Sequence, residues 1–140
     1  MGFQFKVRNL MASDPRTLDM NEALSLADQV MTMERIRHLP VIDDEGVLVG
    51  VVTQRDLFRG ALARAIGYGE HAQKKLLDTL RVKDVMHTDP VTTGPDDHVR
   101  VAAKLMLDNK VGCLPVLDDG KLVGIVTESD FVGLFAREDD

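Results

Sequence analysis

The chain has 140 residues, 44% of them hydrophobic and 29% charged, which suits one compact domain or two intimate half-domains built around a real core. A net charge of −6 and a pI near 5.1 argue against a general binder of nucleic acid or of membrane surfaces. The single cysteine, Cys113, excludes an internal disulfide framework; no apolar run approaches the roughly 18 residues of a membrane span, and no signal-peptide core opens the sequence, so the expected compartment is the cytoplasm.

Phe3 to Met11 is a lead-in, and Ser13-Asp14-Pro15 a turn whose proline ends any preceding helix. Arg16-Thr17-Leu18 reads as a short strand. Asp19 and Glu22 then form a capping-box pattern, and Ala23, Ala27, Val30 and Met31 fall on one face, the apolar stripe of an amphipathic helix. Leu39 to Ile42 is a β-branched apolar run, Asp43-Asp44-Glu45-Gly46 is turn chemistry, and Val47 to Val52 is uninterrupted enough for a strand buried on both sides. Thr53-Gln54-Arg55-Asp56 opens a helix that continues through Leu57 to Ile66. Gly67-Tyr68-Gly69 breaks it. Glu70 to Leu80 reads as a further helix with Leu76, Leu77 and Leu80 as its apolar positions.

The pattern then recurs. Leu80 to Met86 is a second lead-in, with Val85-Met86 aligned on Leu10-Met11. Thr88-Asp89-Pro90 repeats the turn and Val91-Thr92-Thr93 the short strand. Gly94-Pro95-Asp96-Asp97 supplies a cap, and Ala102, Leu105 and Met106 the helix stripe. Leu114-Pro115-Val116-Leu117-Asp118-Asp119-Gly120 repeats the strand and turn, and Thr127-Glu128-Ser129-Asp130 the helix opening. Pro40 and Pro115 lie 75 residues apart, Asp56 and Asp130 74 apart, which leaves Glu45 without a counterpart. Such a period marks two copies of one supersecondary unit. Each copy reads β-α-β-β-α, so the fold class is α/β; two copies packed sheet against sheet would cover the surface one leaves bare.

The paired Leu-Pro-Val-hydrophobic-Asp turn, with Gly50/Thr53/Asp56 and Gly124/Thr127/Asp130 as a duplicated G-x-x-T-x-x-D, resembles the CBS (cystathionine-β-synthase-type) domain, over about Val7 to Phe131. The resemblance implies a CBS pair, or Bateman module: repeats at 7–66 and 81–135 related by a pseudo-twofold axis, a helical connector at 67–80 and an acidic tail at 136–140. It implies a central cleft with two sites for adenosine-containing ligands, no catalytic activity, no required cofactor, a homodimer, and a regulated protein elsewhere. The ligands implied are AMP, ADP, ATP or S-adenosylmethionine. The binding residues implied are Thr17, Leu18, His38, Pro40, Thr53, Arg55 and Asp56 in the first copy, and Thr92, Thr93, Cys113, Pro115, Thr127, Ser129 and Asp130 in the second.

The residue chemistry agrees with that implication and leaves alternatives open. A carboxylate can accept from both hydroxyls of a ribose, and such charge-assisted bonds are about twice as strong as neutral ones, which suits Asp56 and Asp130. Thr53 and Thr127 stand beside the free N–H groups of a helix start, where phosphate binds. Val41 and Val116 could wall a base, and Pro40 and Pro115 remove a backbone donor from the strand edge. Thr-x-x-Asp is equally a capping box. His38 stands where the second copy has Cys113, and Arg37 where it has Gly112, so the first site is expected to favour phosphorylated ligands. Asp43-Asp44 and Asp118-Asp119 could suggest Mg²⁺ or hydrolysis, although turn aspartates commonly bond their own backbone. His38, His71, His87 and His98 show no metal-ligand spacing. The rival to a ligand sensor is a structural interaction module with vestigial sites. Leu57, Phe58, Phe131, Leu134 and Phe135 would form an apolar contact face.

Overall fold

A computed structural model describes residues 5–57, 75 and 77–137. The elements are α1 (Val7–Leu10), β1 (Ala12–Ser13), β2 (Leu18–Asp19), α2 (Leu24–Glu34), β3 (His38–Ile42), β4 (Leu48–Thr53), a 3-10 turn (Val82–Asp84), β5 (His87–Thr88), α3 (Val99–Asn109), β6 (Cys113–Asp118), β7 (Lys121–Thr127) and α4 (Glu128–Arg137). Residues 54–57 are also helical. The chain divides into two compact units, Arg16–Asp89 and Met1–Pro15 with Pro90–Asp140.

In the Arg16–Asp89 unit the sheet order is β2-β3-β4-β5. β2 and β3 are parallel across α2, the expected crossover, and β3-β4 is the expected hairpin. Its core joins Leu24, Ala27, Val30 and Met31 of α2 to Leu39, Val41 and Val52 of the sheet. Leu39, Val41 and Val52 are fully buried, each removal from water contributing about 1.5–3 kcal/mol. In the other unit the order is β1-β7-β6, and the short strand before α3 shrinks to one parallel bridge, Thr93 to Val116. Val7, Ala102, Met106, Leu114, Val116 and Val126 form its core. Both helices end on a left-handed residue, Arg35 (φ 54°) and Lys110 (φ 55°).

The lead-ins hold α1 and the 3-10 turn; the short strand that follows each one takes in the first expected turn residue, Ser13 or Thr88, and pairs with the other repeat. β5, leading into the second copy, runs antiparallel to β4 of the first, with Gly50 opposite Thr88 and Val51 opposite His87. β1 runs antiparallel to β7, with Ala12 opposite Ile125 and Ser13 opposite Gly124. Val82 and Val7, both fully buried, anchor the two crossings in those cores. The motif glycines follow from this crossing. A Cβ on Gly50 would lie 2.7 Å from the His87 carbonyl oxygen, and one on Gly124 2.9 Å from that of Ala12.

Three expectations change. The helices start at Leu24 and Val99, later than the capping patterns predict. Asp19 instead turns back on the Asn21 N–H at 2.8 Å, and Asp97 accepts from the Gly94 N–H at 2.8 Å, so these acids close turns ahead of the helices. Leu57 is not part of an exposed apolar face; it is 5% exposed and fills the core. Val47 lies outside β4 and is exposed, so the buried run is shorter than the apolar one. Phe58 and most of the 67–80 connector lie outside the described residues, although Leu77 and Leu80 pack on the first core. Glu45 also finds its reason. Without it, the second hairpin turns on Asp119 (φ 52°) and Gly120 (φ 80°), both left-handed as a two-residue primed turn requires. With it, Asp43 Oδ1 accepts from the N–H groups of both Glu45 and Val47, at 2.9 Å each.

Candidate functional site

Each unit brings its own copy of the motif together. His38 is opposite Thr53 and Cys113 opposite Thr127 across the hairpins, so the start of one strand, the end of its partner and the following helix start converge. Thr17, half-buried, directly precedes the Leu18/Val41 pair and so lies level with Pro40; Thr92 precedes the Thr93/Val116 bridge and lies level with Pro115. Pro40 and Pro115 are fully buried. Arg55 and Ser129 are exposed on the first helical turns.

The Thr-x-x-Asp box forms in both copies. Thr53 donates to Asp56 Oδ2 from its N–H (2.7 Å) and from Oγ1 (2.9 Å), and the Asp56 N–H donates to Thr53 Oγ1 (3.2 Å). Thr127 donates to Asp130 Oδ2 from its N–H (2.9 Å) and from Oγ1 (3.4 Å), and that hydroxyl lies 2.9 Å from Ser129 Oγ. Capping therefore uses one carboxylate oxygen and fixes the direction of the other. The two copies differ at that second oxygen. Asp56 Oδ1 accepts from His87 Nε2 at 2.7 Å. Among the described residues, Asp130 Oδ1 accepts no hydrogen bond.

Other positions also differ. Leu18 is 4% exposed with its side chain in the core, so only its backbone can face a ligand. Its counterpart Thr93 is buried too, and its hydroxyl donates to Asp97 Oδ2 at 2.8 Å. Cys113 is buried, and desolvation, with the Glu128 charge second, pushes its thiol up from 9.0 to about 12. It is a neutral apolar wall rather than a nucleophile. His38 is half-buried and Arg37 exposed at the corresponding edge. Among the described residues no three His, Cys, Asp or Glu side chains cluster as metal ligands, and no helix is long and apolar enough to cross a membrane. Away from the motif, Arg8 bonds Asp96 and holds its carboxyl below the usual 3.8.

Sequence reasoning did not find His87. Its one signal was the alignment of Met86 with Met11, which sets His87 opposite Ala12 in the comparison of the copies.

The fold is a doubled α/β unit, each copy closing on a carboxylate held at a helix start. The model of the CBS domain matches residues 7–63 and again 82–137, and the chain belongs to that family, as a tandem pair. It is 34% identical over 132 residues to a CBS domain-containing protein of Dictyostelium discoideum, covering 94% of this chain and 91% of that one. Among solved structures it resembles CBSX2 in complex with AMP, at a TM-score of 0.78 and 28% identity, covering 97% of this chain and 99% of that one. It also resembles the CBS domain pair of protein MJ0100 in complex with 5′-methylthioadenosine and S-adenosyl-L-methionine, at a TM-score of 0.76 and 27% identity, covering 94% and 96%.

Proposed function

We propose that this chain is a regulatory sensor of an adenosine-containing ligand, AMP, ADP, ATP or S-adenosylmethionine, with one carboxylate-centred site in each unit. The observation that carries this reading is the duplicated box, which holds one oxygen of Asp56 and of Asp130 and leaves the other outside the box. That second oxygen is the acceptor for ribose hydroxyls. In the second copy the Glu128 N–H is taken by the Gly112 carbonyl, and the Ser129 and Asp130 N–H groups that follow on the first turn of α4 are the donors for a phosphate, while Cys113 and Pro115 supply dry walls. The ligands held by CBSX2 and MJ0100 support the ligand class. The chain passes its ligand state to another protein and performs no chemistry itself. It works in the reducing cytoplasm, which suits its single buried cysteine. It pairs with a second copy through α4, where Val132 and Phe135 are 68% and 80% exposed; light scattering that gives a monomer mass at all concentrations, with and without nucleotide, refutes the pairing.

A thermal-shift panel of AMP, ADP, ATP, NAD and S-adenosylmethionine, with and without Mg²⁺, tests the sensor reading, since a ligand of the native state raises the melting temperature. Calorimetry then compares Asp130→Ala with Asp130→Asn, which keeps an acceptor for the cap. Loss of the charged acceptor costs about 1.5–3 kcal/mol, tenfold or more in affinity. A panel without any shift refutes the reading.

A further inference from the structure

We infer that His87 ranks the two sites, holding the Asp56 site closed to ribose while the Asp130 site stands open. The inference rests on the ribose reading above and adds an order of filling to it. Asp56 Oδ2 already receives two donors from Thr53, and Oδ1 receives His87 Nε2 at 2.7 Å. A carboxylate oxygen has two acceptor positions, so Oδ2 is full and Oδ1 half used. A ribose that grips Asp56 with both hydroxyls must displace the imidazole. Asp130 carries no such cover: its Oδ2 is held by Thr127, and its Oδ1 accepts nothing among the described residues.

The difference comes from the crossing strands. β5 carries His87 opposite Val51, three residues before Gln54 opens the helix of Asp56. The equivalent place on β1, opposite Ile125, holds Ala12, whose methyl group cannot donate. The histidine is also removable. Its side chain is 66% exposed and that of Asp56 is 10% exposed, so the ring is a cover over a nearly buried carboxylate and can swing into water. Its backbone stays paired with β4 whatever the ring does. A hydrogen bond to a charged group, once it must be broken before binding, weakens the ligand by about tenfold or more.

The test titrates AMP by calorimetry into the full chain with one carboxylate removed at a time. In Asp130→Ala, which leaves only the Asp56 site, adding His87→Ala is expected to tighten AMP about tenfold. In Asp56→Ala, the same His87→Ala is expected to change nothing, while Ala12→His is expected to weaken AMP. His87→Gln, whose amide can still donate, is expected to keep part of the closure. A histidine that only shaped the site would lose affinity on truncation, so a gain is specific to a cover. No tightening in the Asp130→Ala background, or equal changes in both backgrounds, overturns the ranking and leaves the sensor reading standing. Failure of the wild type and of every variant to bind any of AMP, ADP, ATP or S-adenosylmethionine overturns the sensor reading and the ranking with it.

Discussion

Gly124→Ala tests the crossing of the lead-ins. The added Cβ would lie 2.5 Å from Met11 Sδ and 2.9 Å from the Ala12 carbonyl oxygen. Met11 is flexible and can turn away. The carbonyl cannot, because β1 is registered on β7 at Ala12/Ile125 and Ser13/Gly124. One of the two strands must therefore shift by roughly half an ångström, and overpacking of this kind costs about 1–3 kcal/mol. Two controls separate this from generic glycine effects. A Cβ on Gly94 meets nothing nearer than Asp97 Oδ2 at 3.6 Å, so Gly94→Ala stays within about 0.5 kcal/mol of wild type. Gly120 opens into free space at φ +80°, so Gly120→Ala suffers only the left-handed backbone cost of about 1–2 kcal/mol. Urea unfolding followed by circular dichroism reads all three. With a slope of about 1–3 kcal/mol per molar, the Gly124→Ala midpoint falls by on the order of 1 M. A midpoint equal to that of Gly94→Ala refutes the close approach.

Leu57 and Phe135 separate core from surface: Leu57→Ala, at a site 5% exposed within the core, should lose about 2–5 kcal/mol, and Phe135→Ala, at 80% exposure, should stay within about 0.5 kcal/mol in dilute solution. Equal losses in urea unfolding would contradict that placement. Cys113 should resist iodoacetamide at pH 8 in the folded chain and react readily in denaturant. Its folded thiol stays protonated to about 12, while the unfolded thiol ionises near 9.0. The unfolded state thus sheds the proton first, and the stabilisation, complete below pH 9, is lost as pH rises from 9 towards 12. Cys113→Ala should flatten stability across that window, and an unchanged slope counts against the burial effect.

The parts legible in the sequence are those with local signals. Leu39 to Ile42 and Leu114 to Leu117 are β-branched runs next to aspartate-glycine turns, and they are strands. Ala27, Val30 and Met31 show helical spacing, and they are buried. The helix starts were misplaced because one chemistry serves two structures. An aspartate oxygen that can cap a helix can equally take an N–H in a turn, and Asp19 and Asp97 do the latter. Asp56 and Asp130 form the box that their spacing allows, and so occupy one oxygen each. The crossing strands had no such signal. Ala12, Ser13, His87 and Thr88 are all exposed and come in pairs too short to show a period. What holds β1 is a partner more than a hundred residues away, and His87 was hidden with its strand.

The exchange of lead-ins also sets an order of events during synthesis. The Arg16–Asp89 unit is contiguous and has every strand of its described residues once Thr88 has been made. The other unit draws on both ends of the chain, so Ala12 and Ser13 must wait for β7 before they have anything to pair with. Closing so long a loop is slow, because its entropy is lost before the contact forms. Until then β7 carries an unpaired edge, the kind of surface on which nascent chains join one another. A cut at the boundary of the sequence repeats makes that interval permanent: each fragment takes with it a strand that belongs to the other and leaves its own sheet one strand short.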